Sequence, residues 1–274
     1  MNKSEEKLLI DKSRHIRYLI VEEIGKLGIG HLGGCLSPVE ALVVLYYKEM
    51  NVDAKKPKME GRDRFIMSKG HAGPAVYAVL ADKGYFPVQW LDTLNKPETN
   101  LPSHCDMNRT PGIDMTAGSL GQGISCAVGI AKASKIKKDN AKIYFMIGDG
   151  ESQEGEVWEA AMLGCGLKLD NLIGFTDYNK LQIDGSIEEV IGLKDLDKKW
   201  DAFGWNVIEV KDGHDVVEID EAIIKAKNSK GKPTMIILNT IKGQGVSFVV
   251  EKGAGNHNMP ISKEQMIEAL KELE

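Results

Sequence analysis

Lys142-Ile-Tyr-Phe-Met-Ile-Gly-Asp-Gly150 and Asn171-Leu-Ile-Gly-Phe-Thr-Asp-Tyr-Asn179 decide the fold. Each is a short, nearly continuous apolar run that stops in polar residues able to bind a ligand. Runs of this kind read as strands buried on both faces, the pattern of a parallel sheet covered by helices. Residues 154–166, between them, have helical spacing. A strand–helix–strand unit of this type closes as a right-handed crossover and brings both strand ends to one edge of the sheet. Adjacent strands lie about 5 Å apart. Asp149 and Asn179 are therefore expected to meet beyond the carboxyl ends of the strands, where open α/β sheets bind their ligands.

The same alternation extends in both directions. Further strands are predicted at Arg64–Met67, Asn206–Val210 and Thr234–Leu238, with helices near 5–26, 73–83, 119–137, 215–228 and 262–273. The first helix carries Leu8, Leu9, Ile16, Leu19, Ile20 and Ile24 at helical spacing. Ser37-Pro38-Val39-Glu40 reads as a helix start, with Ser37 as cap, Pro38 in the first position and Glu40 completing a capping box. That helix is expected to run to about Met50. Ser262-Lys263-Glu264-Gln265 carries a second capping box. No repeat, low-complexity tract or linker divides the chain, so residues 1–274 read as one α/β domain, a parallel sheet with helices on both faces.

Composition narrows the class of function. The 274 residues suffice for a substantial core, and 35 basic against 40 acidic side chains give a net charge of −5. The basic stretch Lys132–Lys138 is interleaved with Ala, Ser and Ile and reads as the solvated end of a helix, so no nucleic-acid partner is expected. Cys35, Cys105, Cys126 and Cys165 form no CxxC pair and are expected as reduced thiols. Residues 1–26 lack the pattern of a signal peptide, and no apolar run approaches the ~20 residues that span a bilayer. The expectation is a cytoplasmic protein with no membrane partner.

The chemistry starts at Gly148-Asp149-Gly150. An isolated Gly-Asp-Gly is usually only a turn. Here it ends a strand, a helix follows, and the next strand ends at Asn179. Mg²⁺ takes oxygen ligands, typically one or two protein groups plus substrate phosphates, and Ca²⁺ or Mn²⁺ share that preference. A backbone carbonyl after Asn179 would add a third protein ligand. Four of the six histidines sit beside Gly or in short loops: His31, His71, His104 and His257. Imidazoles in such loops suit a polar site that handles hydroxyls and phosphate. His15 reads as lying on the outer face of the first helix, and His214 as a loop residue before a helix. The glycine-rich segment Asp114–Gly123 opens a helix and lets its backbone approach a ligand or a neighbouring subunit closely.

Gly-Asp-Gly, about thirty residues and then Asn at the next strand end resemble the thiamine diphosphate motif. The longer string GDGESQEGEVWEAAMLGCGLKLDNLIGFTDYNKLQIDG, 148–185, resembles transketolase. That resemblance covers essentially the whole chain but only the first domain of a full-length transketolase. It implies that Asp149, Asn179 and the Leu181 carbonyl bind the metal, and that Gly148, Asp149, Gly150, Gly118, Ser119, Leu120, His71 and His257 contact the cofactor. It implies that His31, His71, His104 and His257 face the sugar, and that Glu154 lies at a subunit interface and serves the cofactor. Two departures stand out. Ser119 replaces the more usual Pro, and Asn256-His257-Asn258 replaces Trp-His-Gly.

In the family, the glutamate that activates the cofactor and the arginines that grip the substrate phosphate belong to a following pyrimidine-binding domain. The sequence ends at Glu274 without one. We therefore expect a two-chain enzyme: this chain and a separate C-terminal subunit, forming a heterotetramer. It would transfer a two-carbon ketol unit from a ketose, such as a sugar phosphate, to an aldose. The donor remains open among pentose phosphates, branched sugars and sulfo-sugars. The alternatives are the α chain of another thiamine diphosphate enzyme of the 2-oxoacid dehydrogenase type, which the histidine segments disfavour, and a non-catalytic paralogue that binds the cofactor.

Overall fold

The computed structural model describes residues 1–274 and contains five parallel strands: β1 Arg64–Met67, β2 Ile143–Gly148, β3 Leu172–Tyr178, β4 Asn206–Val210 and β5 Thr234–Asn239. Their order across the sheet is β1-β2-β3-β5-β4. Every apolar run expected to be a strand is one, with ends shifted by at most two residues. The register sets Gly148 opposite Asp177, and Tyr178 opposite Asn239. The carboxyl ends of β2, β3 and β5 therefore finish side by side.

Helices cover both faces, as the apolar runs require. On one side lie α1 Lys3–Leu27, α2 Val39–Val44, α3 Gly73–Asp82 and α7 Val216–Asn228, with Ile16, Ile20, Val76, Leu80 and Ile223 in one core with Tyr144, Met146, Phe175 and Ile236 of the sheet. On the other lie α4 Gln122–Lys137, α5 Gly155–Gly166 and α6 Leu196–Ala202. There Ile124, Val128, Val157 and Trp200 share a core with Ile143, Phe145 and Ile147. Successive residues of β2 thus feed opposite cores, because strand side chains alternate. The last helix, α8 Lys263–Glu272, starts with the expected capping box of Ser262 and Gln265 and packs on α1.

Two helix starts differ from the sequence reading. Ser37 does not cap α2. The short helix Leu32–Leu36 leads into α2 with Ser37 itself in helical conformation, so there is no free N-terminus to cap. Ser37 Oγ donates instead to Asp177 at 2.6 Å, and Glu40 pairs with Arg17. Beyond Val44 one wider helical turn, Leu45–Glu49, carries the helix to its expected end near Met50. Helix α4 begins at Gln122 rather than 119, because Gly121 takes a left-handed φ of 87° that a helix cannot include.

His15 lies half-exposed on the outer face of α1, 3.1 Å from Asp82. Lys132, Lys135, Lys137 and Lys138 at the end of α4 are exposed. All four cysteines are free, and no helix is long and apolar enough to cross a membrane.

Candidate active site

A cavity of about 360 Å³ opens at the carboxyl ends of the strands, bounded by the segments that follow β1, β2, β3 and β5. Its floor is charged. Asp149, directly after β2, is buried, and its two carboxylate oxygens accept from the N–H groups of Gly150 at 2.8 Å and Lys180 at 2.5 Å. Burial, reinforced by the nearby Asp177 carboxylate, pushes its pKa up to about 7. A cation beside it would restore the ionised form.

Asp177, near the end of β3, is fully buried and accepts from the Lys69 ammonium, Ser37 Oγ, Thr240 Oγ1 and Asn179 Nδ2. Burial alone would raise its pKa, but the charge and hydrogen bond of Lys69 outweigh that and hold it below the usual range. Lys69 Nζ also donates to the Gly34 carbonyl at 2.9 Å. Lys242, just past β5, donates to the Leu181 carbonyl at 3.1 Å and sits 3.0 Å from His257 Nδ1. Burial and the charge of Lys69 bring its pKa down to about 8.

The wall is a cluster of imidazoles. His31 is delivered by a two-residue antiparallel ladder in which Ile29-Gly30 pairs with Pro260-Met259, so segments near opposite ends of the chain meet. Its ring centroid lies 5.3 Å from that of His71, 5.9 Å from His104 and 5.4 Å from His257. His71 and His257 are 4.8 Å apart. Burial lowers all four pKa values, and neighbouring positive groups add to it at His31, His71 and His257, the last of which falls to about 3. Near neutral pH the four rings are uncharged, each with one N–H donor and one acceptor nitrogen.

Behind the wall, Asn256 is fully buried and donates to the carbonyls of Lys242 at 3.2 Å and Val249 at 2.8 Å. A Cβ on Gly33 would meet its Oδ1 at 2.2 Å, so glycine is required there. Asn256, one of the two departures from Trp-His-Gly, is thus a packed anchor for His257.

The glycine-rich loop completes the cavity. Gly118 and Leu120 line it, and Glu151 holds the loop by accepting from Gly121 N–H at 2.9 Å while also binding Ser68 Oγ and Gly148 N–H.

The structure gathers Asp149, Asn179, Leu181, Gly148, Gly150, Gly118, Leu120, Glu154, His31, His71, His104 and His257 around this one cavity. Ser119 is exposed and does not line it. Lys69, Asp177 and Lys242 were missed by the sequence reading. Each stands at or just beyond the carboxyl end of a strand, and a charged residue interrupting an apolar run at that edge was the available signal.

The oxygen donors present fit a hard divalent cation: one carboxylate, the Asn179 amide oxygen and the Leu181 carbonyl. Lys242 already directs positive charge at that carbonyl. His214, expected in a loop before a helix, is there, but it is nearly buried. Its Nδ1 lies 3.0 Å from Glu40, and its Nε2 accepts from Ile241 N–H at 2.8 Å.

Known proteins share both sequence and fold. The family described as "Transketolase, thiamine diphosphate binding domain" matches residues 9–273. The 6-deoxy-6-sulfo-D-fructose transketolase subunit of Clostridium sp. (strain MSTE9) is 57% identical over 259 residues, covering 94% of each chain. An apulose-4-phosphate transketolase subunit of Phocaeicola vulgatus is 40% identical, over 96% of this chain and 92% of that one. Among solved structures, transketolase from Campylobacter jejuni superposes with a TM-score of 0.90 at 30% identity, over all of this chain and 43% of that one. Transketolase from Leishmania mexicana gives 0.89 at 32% identity, over 95% and 40%. This chain therefore spans about two-fifths of those full-length enzymes. It belongs to the transketolase thiamine diphosphate-binding domain family.

Proposed function

We propose that this chain is the diphosphate-binding subunit of a two-chain transketolase, transferring a two-carbon ketol unit from a ketose to an aldose. The convergence of Asp149, Asn179 and the Leu181 carbonyl with four neutral histidines around one cavity carries this reading. Asp149, Asn179 Oδ1 and the Leu181 carbonyl would hold Mg²⁺, with Ca²⁺ or Mn²⁺ as substitutes. Thiamine diphosphate, when bound, supplies the carbon nucleophile and the electron sink.

The chain's own residues do the rest. Lys69 and Lys242 offset diphosphate charge at the floor. Gly118, Gly148 and Gly150 leave room for close backbone approach, and Leu120 offers an apolar surface. His31, His71, His104 and His257 orient sugar hydroxyls, and each neutral ring can accept a proton at one nitrogen and donate from the other.

The relatives named as subunits support a separate partner chain carrying the pyrimidine-binding domain, and we propose two copies of each, with Glu154 at the interface. The four free thiols favour a cytoplasmic setting. Sugar phosphates remain candidate substrates. The first donor to test is 6-deoxy-6-sulfofructose, after the relative at 57% identity.

The test uses the complex purified with its partner. Asp149→Ala is expected to abolish Mg²⁺-dependent binding of thiamine diphosphate in calorimetric titration. Unchanged affinity removes the metal assignment. The chain alone is expected to transfer no measurable ketol unit, and robust turnover without the partner would sink the two-chain reading.

A further inference from the structure

A second cavity, of about 260 Å³, opens where α1 meets the start of α7 and the end of α8, and it shares no residue with the first. Its depth is built from buried polar groups: Ser13 is 2% exposed, Arg17 6% and Glu40 5%. Ile10, Ser13, Arg14 and Arg17 line it from one face of α1, at helical spacing. Val216 and Leu273 add aliphatic surface. The volume lies just below the roughly 300–1,000 Å³ of pockets for drug-sized ligands, so its ligand is small. We propose that this cavity is an effector site for a small aliphatic carboxylate, gripped by Arg14 and Ser13 and sensed at Lys242. The effector role, though not the site itself, rests on the reading of the floor as the diphosphate site.

The charge balance selects the ligand. Arg17 commits both terminal nitrogens to Glu40 and its Nε to the Gln244 carbonyl at 2.9 Å. Glu40 also meets His214 Nδ1 at 3.0 Å. These groups compensate one another. Glu272, on the rim, accepts from the Ser247 N–H at 2.8 Å and Oγ at 2.7 Å. Of the two arginines in the lining, Arg17 is therefore paired, while Arg14 has no carboxylate partner in the chain. A carboxylate matches a guanidinium fork with two parallel N–H···O bonds. One free cation balances one negative charge. A dianion would leave its second charge uncompensated beside Glu40 and Glu272.

Ser13 is an independent sign of a missing ligand. Its Oγ is buried and has no hydrogen-bond partner. A buried polar atom left in that state costs about 1–3 kcal/mol. An oxygen of the ligand, held at Arg14 one residue away, would satisfy it.

The loop after β5 connects the cavity to the floor. His214 lines the cavity and accepts from the N–H of Ile241 at 2.8 Å. Gly245 lines it too, with a left-handed φ of 90°, and a Cβ there would meet Arg17 Cδ at 2.8 Å. The segment from Ile241 to Gly245 is thus held at one end by His214 and at the other by Arg17. Lys242, which donates to the Leu181 carbonyl, lies between those holds. A ligand that shifts Arg17 or His214 shifts the backbone of Lys242, and the coupling must be reciprocal.

The experiment uses the complex purified with its partner and loaded with thiamine diphosphate and Mg²⁺, so that the first cavity is filled. Saturation-transfer NMR reads binding of propionate and lactate, with inorganic phosphate as competitor. Both acids should receive saturation, and phosphate should not displace them. Arg14→Gln, at an exposed side chain, should keep the wild-type cofactor affinity but weaken both acids about tenfold, the loss of one charge-assisted pair. Ser13→Ala should weaken them by a smaller factor. In calorimetric titration, saturating propionate should change the wild-type Kd for thiamine diphosphate by about fivefold or more and leave that of Arg14→Gln unchanged. No saturation transfer, displacement by phosphate, or transfer untouched by both substitutions overturns the site. Binding that leaves cofactor affinity where it was overturns the effector role. A wild-type complex that binds no thiamine diphosphate overturns the reading of the floor and the effector role with it, while carboxylate binding lost in Arg14→Gln still upholds the site.

Discussion

The floor and the wall of the cavity are built on opposite electrostatics. The floor brings buried charges together: Asp149 and Asp177 from β2 and β3, Lys69 and Lys242 from the segments after β1 and β5. The wall brings together four uncharged imidazoles from loops. Floor groups are woven into the fold, since Asp177 alone gathers Lys69, Ser37, Thr240 and Asn179. Wall groups are nearly free of it. Among the four rings, only His257 has a polar side-chain partner, Lys242. The contrast says that the floor is bonded into the fold itself, whereas the wall leaves its ring nitrogens nearly unpaired, which is what the proposed substrate-facing role requires.

Breaking the floor should therefore cost most. Asp177→Ala leaves the buried Lys69 ammonium and two hydroxyls without their acceptor, and removing one partner of a buried ion pair costs about 3–5 kcal/mol. Chemical denaturation of the isolated chain measures this. Because the uncompensated charge is the main penalty, adding Lys69→Met should recover much of the loss. A drop below about 1 kcal/mol for Asp177→Ala would mean that the floor is not the structural keystone its bonding implies.

The wall should show the reverse. His71→Ala is expected to lower kcat/KM of the complex about a hundredfold, ~2.7 kcal/mol of transition-state stabilisation. The chain's unfolding midpoint should barely move, since the imidazole makes no hydrogen bond within the chain. If the activity loss instead tracks a matching loss of stability, the ring is a packing element and the contrast with the floor collapses.

The two regions also differ in how much of them the sequence discloses. The strands were legible because residues buried on both faces leave long apolar runs. Asp149 and Asn179 were legible because such runs stop abruptly at them. The wall histidines stood out as polar rings among glycines. Lys69, Asp177 and Lys242 were harder, because a charged residue near a strand end reads as solvent-facing unless its partner is known. Lys69 and Asp177 meet across 108 positions of sequence, and no local spacing announces that. The misassigned cap at Ser37 has the same origin. Its hydroxyl serves Asp177, a residue 140 positions away, while local capping rules assume a free helix end. Ser119 differs from its neighbours Gly118 and Leu120 in lying outside the cavity lining, a placement that no local spacing announces.

A third network sharpens the comparison by supporting the floor from behind. Arg17 grips Glu40 with two guanidinium nitrogens, Glu40 meets His214, and His214 accepts from the N–H of Ile241, next to Lys242. Burial works to raise the Glu40 pKa, but the Arg17 charge and the His214 hydrogen bond prevail and set it below the usual carboxylate value. A carboxylate depressed in this way contributes stability at pH above its unfolded pKa, and that contribution is lost as pH falls through the lower folded value. Glu40→Gln should therefore destabilise the chain by about 2 kcal/mol at neutral pH. The gap from wild type should close on acidification, because a protonated Glu40 is itself neutral. A gap independent of pH would show that shape at this position matters more than charge.

The smallest effect should come from a histidine outside both regions. His15 faces Asp82 on the surface of α1, with about half its side chain exposed, and Asp82 keeps Lys12 and Tyr47 as partners without it. Exposed ion pairs of this kind contribute little once solvent screens them. His15→Ala is thus expected to change unfolding free energy by less than about 0.5 kcal/mol and to leave kcat/KM of the complex where it was. Measured beside His71→Ala, it separates the placement of an imidazole from its mere presence. An activity loss at His15 comparable to that at His71 would mean that histidines act here through net charge or solubility, and the assignment of the wall to the substrate would fall with it.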